Sequence, residues 1–170
     1  MSKLMAFLIS VVALALVASP SPAVAANVSL LDDSRDAKAE FDITRATFAN
    51  NGDVLSVKAR FRNLKSDGVQ IVGLHFRPRG YGRSFVASTL RHADGSVTAD
   101  LYRLNGATSS LMDCTVGARW RPDQDVVSIK VPQNCLPKHR LQFVSAYTDR
   151  GDGSQGEPAD GTSTVQVPYK

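Results

Sequence analysis

The stretch NNGDVLSVKARFR, residues 50–62 without the first asparagine's strand context, restricts the fold more than any other part of the chain. Leu55, Val57, Ala59 and Phe61 alternate with Ser56, Lys58, Arg60 and Arg62. A period of two is the signature of a strand with one face against a core and one in water. The Asn-Asn-Gly-Asp that precedes it is a hairpin turn, so an earlier strand must run back antiparallel. Phe41, Ile43 and Phe48 mark that earlier strand, and a slip in phase near residues 45–47 predicts a bulge.

The same rhythm recurs along the chain. Residues 69–76 (VQIVGLHF) are the most apolar and suit a central strand; 84–90, 97–104, 126–131, 140–148 and 162–167 alternate again. Residues 111–120 and 126–131 read as a hairpin around Arg121-Pro122-Asp123-Gln124, with Trp120 turned into the core. About nine short strands separated by Gly, Pro and Asn predict an all-β fold. An antiparallel β-sandwich, immunoglobulin-like or jelly-roll-like, is the expected architecture, with a closed barrel as the alternative. The acid usage agrees: fourteen aspartates stand against two glutamates, Glu40 and Glu157, and Asp favours turns where Glu favours helices.

Residues 1–25 have the three parts of a secretory signal. Lys3 precedes an apolar run over 4–17, Pro20 and Pro22 follow, and Ala23-Val24-Ala25 is an A-x-A cleavage site. The run is shorter than the ~20 residues that span a bilayer. The signal lacks cysteine, which excludes a lipoprotein anchor, and nothing after residue 26 is apolar enough to span a membrane. The expectation is a secreted, extracellular bacterial protein with one domain over 26–170. Without Lys3, nineteen basic side chains face sixteen acidic ones, a mild excess that is not by itself a nucleic-acid signature. Cys114 and Cys135 would meet an oxidising compartment, and a disulfide is expected between them.

Asp33-Ser34, Asp36-Ala37 and Asp42-Ile43-Thr44, followed far downstream by Val131-Pro132-Gln133-Asn134-Cys135-Leu136, carry a resemblance. The chain resembles uncharacterised secreted β-sandwich proteins of actinobacteria, which open with a D-S-x-G-D-A and D-I-T pattern and close with V-P-x-x-C-L. Arg35 stands where that pattern has glycine. A more distant similarity is to carbohydrate-binding and cell-surface sandwich modules, and this implies a binding role and a structural calcium in some members.

Two sets of side chains are candidates for chemistry. Asp36, Asp42, Asp149, Asp152 and Asp160 offer oxygens to a calcium ion if the first and last strands are neighbours; the competing reading is solvated loop aspartates, and no EF-hand pattern is present. Arg77, Arg79 and Arg83, with Tyr81 between them, could grip an anionic polymer, against a solvated hairpin loop. His75, His92 and His139 are far apart, and neither G-x-S-x-G nor H-E-x-x-H occurs. The expected function is therefore a secreted, non-catalytic binding or cell-envelope module of unknown ligand. It would contact a cell-wall or extracellular polymer, not nucleic acid, and need no cofactor beyond the calcium. The alternatives are a hydrolase whose site assembles only on folding and a protein that inhibits a protease through a rigid loop.

Overall fold

Alternation becomes burial. In β3 (Val54–Phe61) the side chains of Leu55, Val57, Ala59 and Phe61 are buried while Lys58 and Arg60 are exposed. The computed structural model of the chain describes residues 26–32, 35–137, 142–151 and 158–169. The expected signal, Asp152 and parts of two loops lie outside the described residues.

Two antiparallel sheets face each other. The first has the order β1-β2-β3-β9-β8, built from β1 (Ala26–Leu31), β2 (Ile43–Asn50), β3, β9 (Val126–Pro132) and β8 (Gly117–Arg121). The second contains β4 (Gln70–Pro78), β5 (Ser84–Arg91), β6 (Val97–Asn105), β7 (Thr108–Leu111), β10 (Gln142–Asp149) and β11 (Asp160–Gly161). Its order is β11-β10-β4-β5-β6-β7, and β12 (Val165–Val167) also pairs with β10. The fold is thus the expected all-β sandwich, with twelve strands among the described residues where about nine were anticipated. β4 lies inside its sheet, between β10 and β5, as its apolar composition requires. No helix among the described residues is long and apolar enough to cross a membrane.

The core lies between the sheets. Phe48, Leu55 and Ile129 project from the first layer; Leu74, Phe76, Phe85 and Leu101 project from the second. Phe76 and Phe85 stack with ring centroids 5.3 Å apart. Trp120, on β8, crosses to the opposite layer, where its indole Nε1 donates to Thr89 Oγ1 at 3.0 Å. The Arg91 guanidinium covers the same ring at 5.0 Å. Buried Arg91 also donates to the carbonyls of Lys65, Asp67 (2.7 Å) and Gly68 (3.3 Å), which fastens the β3–β4 connection to β5.

Two irregularities have local causes. The ladder between β2 and β3 shifts between Ile43 and Arg45, so Thr44 is the extra residue of a bulge, just before the expected place. The stretch at 111–120 is not one strand. β7 ends at Leu111 in the second sheet, β8 begins at Gly117 in the first, and the chain changes layers between them. Cys114 lies in this crossing and is bonded to Cys135, in the 3-10 turn Gln133–Cys135 after β9, with Cα atoms 5.9 Å apart. The expected disulfide therefore ties the layer crossing to the end of the neighbouring strand.

Candidate functional site

The outward face of the second sheet carries the molecule's main recess. β10 pairs with β4 so that Ser145 lies opposite His75, and β4 pairs with β5 so that His75 lies opposite Val86. The row Ser145–His75–Val86 forms the floor. Because alternate residues share a face, Tyr147 stands one step along the same side. Its ring lies over Gly73, its cross-strand partner. A Cβ at residue 73 would stand 2.1 Å from the tyrosine ring, so only glycine admits it there.

A strap formed by residues 158–162 makes the wall. Asp160 holds it in place: one carboxylate oxygen accepts the Ile43 N–H of the other sheet at 2.6 Å, and the second accepts the Gly161 N–H at 2.6 Å. Thr162 Oγ1 accepts the Ala146 N–H at 3.0 Å. Asp36 closes the rim. The open recess has a volume of about 730 Å³, within the range of small-ligand sites.

The electrostatics follow from burial and neighbours. Burial holds the His75 imidazole below its usual range, and the Arg77 charge adds to that, so the ring is neutral at pH 7. Burial pushes the Tyr147 phenol up to about 12, helped by Asp149 and Tyr102, so it stays protonated and can donate. Burial also raises the Asp160 carboxyl; the Ile43 and Gly161 N–H groups oppose this, while the negative charges of Asp32 and Asp36 reinforce it.

The expected aspartate cluster separates on inspection. Asp36 and Asp160 do meet at the recess, which brings the first and last parts of the chain together. Asp42 is buried and pairs with Arg62 at 3.0 Å, and Arg62 also donates to the Ala37 carbonyl at 2.9 Å. Asp149 accepts the Arg150 N–H at 2.6 Å. Asp152 lies outside the described residues. Among the described residues no three carboxylate, imidazole or thiolate side chains could hold one metal ion.

The arginine loop is also divided. Arg77 and Arg79 line one groove of about 390 Å³, with Arg77 5.6 Å above the Phe143 ring. Arg83 lies in a different groove, beside Arg103 and Asn105. Tyr81 lines the same groove as Arg77 and Arg79, where it is half-buried and stacks on Phe85 with centroids 6.0 Å apart. The groups that do converge, His75, Ser145, Tyr147 and Asp160, come from strands distant in sequence. The detectable signal was that His75 and Ser145 are polar residues at outward positions of two alternating strands. That β4 and β10 are neighbours could not be read from either.

The chain matches no protein-family model, and no curated protein is similar enough to serve as a relative.

Proposed function

We propose that the protein is an exported, non-catalytic binding module of the cell envelope, and that its ligand occupies the recess over β4, β5 and β10. The observation that carries this reading is a preformed hollow on a rigid sheet face, lined by polar groups the fold leaves uncommitted. Asp36, His75 and Ser145 make no side-chain hydrogen bond among the described residues. Together they offer a carboxylate acceptor, a neutral imidazole and a hydroxyl, beside the apolar surfaces of Val86 and Tyr147. That combination suits a hydroxyl-rich ligand of sugar size, whose apolar ring face packs on an aromatic while its hydroxyls take the polar groups.

The test is retention of the mature chain on insoluble cell-wall material and on a panel of immobilised polysaccharides. Ser145→Arg fills the recess and is expected to weaken retention by about tenfold, equivalent to 1.4 kcal/mol. Failure of the wild-type chain to be retained on any of these materials overturns the reading.

A hydrolase is the second reading, favoured by one observation: a serine, a histidine and two carboxylates line the same hollow. A nucleophilic serine needs a base within hydrogen-bond reach. Although Ser145 and His75 are cross-strand partners, no hydrogen bond joins their side chains among the described residues. Turnover of chromogenic esters or glycosides by the wild type, abolished by both Ser145→Ala and His75→Ala, would establish this reading in place of the first.

A further inference from the structure

The opposite face of the molecule has a distinct character. Ladder register places three outward rows across the first sheet. One row runs Leu31, Arg45, Arg60, Val126 (itself buried), Arg121; the next Ser29, Thr47, Lys58, Ser128, Arg119; the third Asn27, Ala49, Ser56, Lys130, Gly117. Six cations project from these rows, and five of them (all but half-buried Arg121) are exposed. No Asp or Glu occurs in any row, and Asp32 and Asp123 lie beyond the strand ends. Among the described residues none of the six is paired with a carboxylate.

This arrangement opposes folding. Arg45 and Arg60 are direct cross-strand partners, and like charges directly opposite destabilise a sheet. Strands are spaced about 4.8 Å apart and alternate residues about 6.8 Å along a strand, so the six charges cover a nearly flat field a few such steps wide. Ser29, Thr47, Ser56 and Ser128 stand between them. Arg119 and Lys130 also line a shallow groove of about 220 Å³ at the β8 side.

We propose that this face is a docking surface for an extended acidic polysaccharide. The cations take its repeating carboxylate or sulfate groups, arginines in bidentate fashion, and the interleaved hydroxyls meet those of the sugars. The face offers no aromatic ring for base stacking, which single-stranded nucleic acid uses. Its rows hold no aromatic or long apolar side chain to enter a bilayer apart from Leu31 at the edge strand, whereas interfacial binders bury an apolar face beneath their cations. The proposal does not depend on the recess, which lies in the other sheet.

Polygalacturonate is the probe, and binding of the mature chain is measured across a salt series. The wild type should bind, with affinity falling linearly in log salt as counterions are released, by analogy with other polyanions. Arg45→Ser/Arg60→Ser/Arg119→Ser should weaken binding at least about tenfold and flatten the salt slope. Lys38→Ser/Lys65→Ser/Arg103→Ser removes the same charge from exposed positions elsewhere and should change affinity less than about twofold. A thermal melt verifies folding of each variant; should the first triple fail to fold, Lys58→Ser/Lys130→Ser takes its place with the same expectation. Equal losses in the two triples would mean that net charge alone is responsible, and would overturn the proposal. So would equal binding to neutral dextran, or tighter binding to phosphatidylglycerol vesicles or DNA than to polygalacturonate. Loss of wall retention through Ser145→Arg with polygalacturonate binding intact would separate this surface from the recess.

Discussion

At the scale of single residues, Gly73 is the position where sequence and shape are most tightly coupled. Its missing side chain is what allows Tyr147 to lie flat on β4 and shape one end of the recess. Gly73→Ala drives a methyl group into that ring, and overpacking of this kind costs about 1–3 kcal/mol. A urea titration should show the loss, and near-ultraviolet dichroism should show a displaced tyrosine. Arg35 is a second case: its φ is 49°, a left-handed conformation that glycine adopts more readily than arginine. Neither feature was legible in the sequence. A glycine inside VQIVGLHF signals close approach by something, without naming it, and the positive φ at Arg35 depends on how the lead-in turns into β2.

At the scale of elements, alternation was a dependable guide to which side chains are buried, and a poor one to which sheet they belong to. Residues 54–61 and 142–148 carried their pattern directly into β3 and β10. Residues 111–120 carried a comparable pattern but span two layers, because alternation states only that a face is wet and says nothing of the neighbouring strand. β1 was not anticipated: its residues, Ala26–Leu31, directly follow the expected cleavage site, and no strand was read there. The β3–β4 connection shows how an element is held by one side chain. Arg91→Leu would leave three carbonyls of residues 65–68 without their donor and uncover the Trp120 ring. We expect a loss of about 2–4 kcal/mol, read as a lowered urea midpoint, with faster proteolysis near residue 65. Arg91→Lys should recover less than half, because an ammonium cannot reproduce the planar fork.

At the scale of the molecule, the layers are joined by few covalent or polar links, so each matters. The disulfide lies where the chain passes from one sheet to the other, and it closes a loop whose ends are 21 residues apart in sequence. Reduction, or Cys114→Ser/Cys135→Ser, should cost about 3 kcal/mol and lower the melting temperature by ~6–12 °C, as differential scanning calorimetry would record. The bridge itself was legible from the expected export and the cysteine number; its placement at the crossing was not, since the crossing was read as a continuous strand. The recess was hidden for the same physical reason as the crossing. Its groups converge only through long-range strand pairing, which a single sequence does not encode in any local signal.

The chain has a single tryptophan, and that residue reaches from one layer into the other. Its fluorescence is therefore a built-in gauge of the gap between the sheets. While the layers are closed the indole sits beneath a guanidinium and against a threonine hydroxyl; once they part, water replaces both and the emission moves to longer wavelength. A loosening of the sandwich that leaves each sheet intact would be visible in that signal before far-ultraviolet dichroism changed at all.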